Sequence, residues 1–306
     1  MAKELWVEKY RPRTVNDYVF KDETQKKIVK GWIADQGIPH LLFHGSAGTG
    51  KTTLAKVLIN ELDVEEADVM YINASRDNGV ELIRKKITAF SETMPFGPFK
   101  IILLDEADYI SAEGQAALRG VMEQYHTVVR FILTCNYPNR IIPALHSRCQ
   151  TMHISNLDQV DFTSRIAEIL IENGVTFELD TVDAYVRATY PDLRKTINSV
   201  QQNISDGELV SPEASETTTD WKVQMVGLFR ENKLKAARQV ICKNATPEDY
   251  DEIFKFLYRN LDFFGANDEQ QDEAVLIIRN GMVKHTQVAD PEVNLSATMI
   301  ELERIG

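Results

Sequence analysis

The chain has 306 residues, enough for two or three domains that each bury a core. An apolar fraction of 43% and a charged fraction of 26% exclude wholesale disorder, and no apolar run approaches the roughly 18–20 residues that span a bilayer. A net charge of −12 excludes a protein that coats nucleic acid over its whole surface, so any such contact must be a local basic patch.

The first residues, "MAKELWVEKYRPRTV", carry charges but no apolar signal core, which points to the cytoplasm (a host's cytoplasm if the gene is a phage's). Cys135, Cys149 and Cys242 stand far apart with no C-x-x-C pair, which excludes a cysteine zinc module and a disulfide framework. Along residues 1–156, "HLLFHG" (40–45), "VMYINA" (69–74), "KIILLDEAD" (100–108) and "VVRFILTCN" (128–136) read as buried strands alternating with helical patterns. That alternation predicts an α/β domain with a parallel sheet covered by helices on both faces. Residues 157–207 read as a small helical domain, and 208–220, "ELVSPEASETTTD", as a linker of almost no apolar content. Apolar spacing turns helical again over 221–306, a second all-helical domain.

"GSAGTGKT" (45–52) fits G-x-x-x-x-G-K-[ST] between a strand and a helix, where backbone N–H groups can surround phosphates. Gly45, Ser46, Ala47, Gly48, Thr49 and Gly50 form this loop, and Thr53 follows it into the helix. Lys51 would pair with the β- and γ-phosphates of ATP, and Thr52 would coordinate Mg2+. In "IILLDEAD", Asp105 ends an apolar strand and can hold the metal through water, while Glu106 can orient and polarise an attacking water. Loop and acid pair together make a candidate ATPase site. Asn136 ends the next strand; its amide either bonds the γ-phosphate or the attacking water, or initiates the turn at "YPNR".

On the helix expected from Val80, Val80, Ile83, Ile87 and Phe90 make the apolar face; Lys85 points away from it, and Arg84 and Lys86 flank it. Residues 75–90 hold four cations and two acids, a net of +2 that suits either a phosphate-tracking face or a solvated one. In "SETMPFGPF" (91–99), Met94 and Phe96 lie where Pro and Gly break the helix, so they suggest a partner surface, whereas Phe99 fits a core anchor equally.

"VEKYRP", "GSAGTGKT", "INASRDNGVELIRKKI", "LLDEAD", "QAALRGVME", "ILTCNYPNRIIPALHSRC" and "PDLRKTIN" occur in that order. Together they resemble the AAA+ small subunits of sliding-clamp loaders of the replication-factor-C type, over residues 1–200. The short chain looks most like the archaeal or T4-type phage versions. The resemblance implies an AAA+ P-loop domain, a helical lid and a helical collar, and an ATPase that opens a sliding clamp and places it on primer–template DNA. Partners would be the clamp, the DNA and further subunits, alike or different, in a five-membered ring. It also implies roles for single residues. Arg148 of "SRC" would be a finger in the neighbouring subunit's site, Arg194 of "PDLRK" a lid sensor, and Asn136 a first sensor. Val7, Tyr10, Arg11 and Pro12 would line the adenine pocket. Arg84, with Lys85, would contact the DNA backbone, as would Arg119 of "ALRG". Met94 and Phe96 would touch the clamp. Asn78 stands where relatives can restrain the catalytic glutamate until DNA arrives, often with a longer basic residue, and it also reads as a turn residue before Gly79. Two other readings remain: another AAA+ DNA-remodelling ATPase, such as a Holliday-junction helicase or a replication initiator, and a scaffold that binds ATP without hydrolysing it. Intact Lys51 and Glu106 argue against the scaffold.

Overall fold

A computed structural model describes residues 5–76, 79–211, 220–285 and 287–305, with residues 82–84 described in backbone alone. Asn78 and the linker residues 212–219 lie outside the described residues, as does the side chain of Arg84. By contacts the chain forms two compact units, Met1–Asp161 with Pro191–Leu193, and Phe162–Tyr190 with Arg194–Gly306.

The first unit carries five parallel strands, β1 (Leu41–His44), β2 (Val69–Asn73), β3 (Lys100–Asp105), β4 (Val129–Cys135) and β5 (Gln150–His153), in the order β2-β3-β4-β1-β5. Its helices are α1 (Trp6–Lys9), α2 (Glu23–Ala34), α3 (Lys51–Glu61), α4 (Val80–Leu82), α5 (Thr88–Glu92), α6 (Ala112–Gln124) and α7 (Pro143–His146). Side chains alternate between the two faces of a strand, and each face here meets a helical layer. Leu41, Phe43, Ile101, Leu103 and Ile132 pack with Val29 and Trp32 of α2 and with Leu54 and Leu58 of α3. Leu42, Ile102, Leu104, Phe131 and Leu133 pack with Leu118, Val121 and Met122 of α6. Four strands fall where the apolar runs predict them. The fifth, β5, pairs in parallel with β1 at the sheet edge, and only Met152 of its four residues is buried, so it offers no apolar run to read.

The regular helix expected from Val80 is not what forms. Between α4 and α5, residues Ile83–Ile87 make a π turn, which is wider than an α turn and resets the facing of residues beyond it. Ile87 is still fully buried and Phe90 packs against the same core, but Lys85 and Lys86 are both exposed.

The second unit contains α8 (Gln159–Glu172, which begins in the first), α9 (Leu179–Thr189), α10 (Leu193–Gln202, whose first residue belongs to the first), α11 (Trp221–Arg230), α12 (Leu234–Asn244), α13 (Tyr250–Arg259), α14 (Asp268–His285) and α15 (Pro291–Glu303). Ala184 of α9 shares a core with Phe229 of α11 and with Phe254 and Leu257 of α13. Arg187 bonds Asp183 at 2.9 Å and Asp262 at 2.8 Å, and Asp183 also takes Arg230, so polar bonds join α9 to the C-terminal helices. Residues 208 and 209, expected in the linker, instead form a strand. β6 (Ile204–Ser205) and β7 (Glu208–Leu209) make a hairpin whose turn residues Asp206 and Gly207 have φ of 51° and 82°. Asp-Gly with both φ positive is the turn that suits the right-handed twist of paired strands. Tyr185 then donates its hydroxyl to the Val210 carbonyl, tying the end of the hairpin to α9. Among the described residues, no helix is long and apolar enough to cross a membrane.

Candidate nucleotide-binding site

The loop between β1 and α3 closes against the chain's own backbone. A Cβ at Gly45 would collide with the Ile154 carbonyl, so that position admits only glycine. Gly50 has φ of 92° and starts α3 in the left-handed region, where a side chain would also press on the buried Tyr18 ring. The Asp192 carboxylate stands against Gly48, which brings the "PD" of "PDLRK" to the loop. Ser46, Ala47 and Thr49 complete the curve, with the Thr49 hydroxyl donating to the Ser46 carbonyl at 2.9 Å.

Lys51 is buried, and its ammonium donates to the carbonyls of Gly45 at 3.0 Å and Ser46 at 2.6 Å. Burial lowers its pKa below the ordinary lysine value, opposed in part by Cys135 and by the carboxylates of Asp105, Asp108 and Glu106. The amine thus waits, curled over the loop, where three carboxylates favour its charged form.

Sheet order sets the acidic side. β4 lies between β3 and β1, and the ends of all three strands converge there. Thr52, first turn of α3, donates its hydroxyl to Asp105 Oδ1 at 2.6 Å, and Thr134 of β4 donates to the same oxygen at 2.6 Å. The Thr134 hydroxyl in turn accepts the Glu106 N–H at 3.1 Å. Glu106 itself is left-handed, at φ 58° and ψ 43°. That conformation is costly for a non-glycine residue, and such strain gathers at functional positions. Thr134 is therefore a member of the site that sequence reading missed, although a lone hydroxyl in the apolar run "FILTC" is its visible signal.

Asp108, the last letter of "DEAD", was missed too. It is buried, and its Oδ2 accepts the N–H groups of Asn136 at 3.2 Å and Tyr137 at 3.0 Å. This fixes the backbone at the end of β4 and so the placement of Asn136. Gln115 of α6, also buried, donates to the carbonyls of Ile110 and Arg140 and accepts the Ile142 N–H at 2.8 Å. One amide thereby joins the acid loop, α6 and the approach to α7. Val7, Tyr10, Arg11 and Pro12 are half-buried on and after α1, with Trp6 buried beside Tyr10 and Arg11 paired to Glu8 at 2.9 Å. Arg194 is the second residue of α10 and belongs to the second unit.

The other expected residues have local partners of their own or face solvent. Arg148, just past α7, donates from Nη1 to the Ala144 carbonyl at 2.8 Å and from Nη2 to Glu123. Arg119 lies one turn before Glu123 on α6, with its Nε 3.8 Å from Glu123 Oε1. Lys85 is exposed and pairs with Glu81 at 3.6 Å. Met94 and Phe96 are 82% and 81% exposed, while Phe99 is buried in the core. The loop between them does not hang free: fully buried Asp68 accepts the N–H groups of Phe96 at 2.7 Å and Gly97 at 2.8 Å through one oxygen. Burial pushes the Cys135 and Cys149 thiols up to about 12, so neither is a ready nucleophile.

Residues 41–156 match the family model "ATPase family associated with various cellular activities (AAA)". A "Replication factor C small subunit" of Archaeoglobus fulgidus is 43% identical over 211 residues, covering 68% of this chain and 66% of the relative. "Replication factor C small subunit 1" of Pyrobaculum islandicum is 33% identical over 320 aligned positions, covering 100% of this chain and 96% of the relative. The chain belongs to the replication factor C small-subunit family. As a family member it is a clamp-loader ATPase subunit. Among solved structures, the Thermotoga maritima RuvB Holliday junction branch migration motor superposes with a TM-score of 0.57 at 13% identity, over 76% of this chain and 79% of that one. That likeness is one of fold.

Proposed function

We propose that the chain binds Mg2+–ATP at this loop and works as one member of a five-membered ring that opens a sliding clamp, sets it on primer–template DNA, and releases both on hydrolysis. The observation that carries the reading is the chain of bonds Thr52–Asp105–Thr134–Glu106 beside a lysine held over the loop. Lys51 leaves the Gly45 and Ser46 carbonyls for β- and γ-phosphate oxygens, and Glu106 takes the attacking water. Thr52 and Asp105 offer adjacent hard oxygens to Mg2+. Among the described residues no cluster of three His, Cys, Asp or Glu could hold a metal alone, which suits a small cation completed by phosphate and water. When bound, the ion offsets charge on the phosphates.

Around this centre, Val7, Tyr10, Arg11 and Pro12 take the adenine, Asn136 senses the γ-phosphate, and Arg194 reports nucleotide to the lid of residues 157–207. Arg148 acts on a neighbour's nucleotide. Arg84, Lys85 and Arg119 meet phosphates of the DNA, Asn78 is a DNA-linked switch, and Met94 and Phe96 meet the clamp. Residues 221–306 form the collar that holds the ring, after a linker within 208–220. The setting is the cytoplasm. The test is the steady-state ATPase rate, alone and with candidate partner subunits, with and without clamp and primed DNA. Strong stimulation by clamp plus primed DNA is expected; turnover indifferent to both would overturn the reading.

A further inference from the structure

Glu123 is absent from every role assigned above, yet one of its oxygens serves two of the cations that have roles. Oε1 receives Arg148 Nη2 and stands 3.8 Å from Arg119 Nε. Arg148 is gripped at a second point by the Ala144 carbonyl, and its Nη1 also reaches Ser147 Oγ at 3.5 Å. A guanidinium has five N–H donors in a rigid plane. Bonds to Glu123 and Ala144 fix that plane against α6 and α7 and leave donors for a phosphate outside the chain. The arginine and the glutamate keep 33% and 47% of their side-chain surface in solvent, so the pair is weak enough for a phosphate to share.

We propose that Glu123 is a positioning residue, bracing Arg148 for delivery to the adjacent subunit's nucleotide. The proposal rests on the reading of Arg148 as a finger that acts across an interface. Ordering a long arginine before it meets its target removes side-chain entropy that would otherwise be lost in the transition state. The shared oxygen adds a second consequence. A DNA phosphate that draws Arg119 away leaves Oε1 to Arg148 alone, so strand contact tightens the brace. Glu123 thus links the two cations through one atom.

The experiment compares Glu123→Ala, Glu123→Gln and Arg148→Ala in the assembled complex with clamp and primed DNA. Glu123→Ala is expected to lower DNA-stimulated kcat about tenfold while changing ATP Kd and DNA-free turnover by less than about twofold. Glu123→Gln retains an acceptor oxygen and should recover most of the loss. In the Arg148→Ala background, Glu123→Ala should cost nothing more, because both act through one group. Glu123→Lys, which repels both arginines, is the second variant should alanine disturb α6, and it should lose at least as much. Normal stimulated turnover in Glu123→Ala and Glu123→Lys, beside an inactive Arg148→Ala, would overturn the brace and leave the trans-acting finger standing. A further loss on top of Arg148→Ala would overturn it as well. If Arg148→Ala itself hydrolyses ATP normally, the finger reading falls, and the brace with it.

Discussion

The converging strand ends and the outer rim of the same unit are built on opposite terms. At the strand ends, the side chains of Lys51, Thr52, Asp105, Thr134 and Asp108 and the backbone N–H of Glu106 hold in-chain partners at 2.6–3.2 Å, largely out of water. On the rim, Lys85 and its partner Glu81 are more than 80% exposed, and Met94 and Phe96 face solvent. A group that must stand within a fraction of an ångström of a reacting atom is fixed before substrate arrives. A group that meets a large partner is left in water, where its charge or apolar area is available but its position is loose.

The contrast can be broken most directly at its rigid end. Glu106→Gln should lower kcat at least about a hundredfold while ATP affinity stays near wild type, whereas Lys51→Ala should remove ATP binding itself; equilibrium binding and single-turnover hydrolysis separate the two. Rigidity of the sheet beneath the site has a pH signature. His40 accepts the Phe131 N–H at 3.1 Å through Nδ1, and burial, Arg130 and His126 hold its pKa down to about 4 from 6.5. Between those values the unfolded chain binds a proton that the folded chain does not, so stability is full above about 6.5 and falls as pH drops toward 4. Allowing for partial exposure, the loss is about 2 kcal/mol, and His40→Asn should flatten it in urea titrations at pH 7 and pH 4.5. Thr134→Val removes the hydroxyl that joins Asp105 to Glu106 and should lower kcat about tenfold with little change in KM. The smallest effect belongs to the rim: Lys85→Ala should reduce the salt slope of DNA binding by about 0.9 and leave basal ATPase unchanged. An equal loss of basal turnover there would erase the distinction between the two regions.

Legibility followed the same division. The phosphate loop and acid pair could be read because glycine, lysine and carboxylate at those spacings have few other uses beside an apolar strand. Thr134 left only a lone hydroxyl in an apolar run as its signal, and Asp108 and Gln115 left none, since most of their partners are backbone groups 25–29 positions away that only folding brings near. The edge strand β5 hid because three of its four side chains face solvent. The π turn at Ile83–Ile87 hid because a 3.6-residue period assumes the geometry it was used to infer. The Asp-Gly turn at 206–207 was in plain view, but polar composition around it outweighed the one dipeptide that mattered.

Asp68 carries a consequence of a different kind. Because its buried carboxylate staples the Phe96 and Gly97 amides, the tip of that loop has lost its freedom before any encounter. A partner settling on Phe96, as proposed above, would meet a shape already formed, so docking would proceed as between rigid bodies, its speed set by how often the two surfaces collide in the right orientation rather than by how long a loop takes to fold.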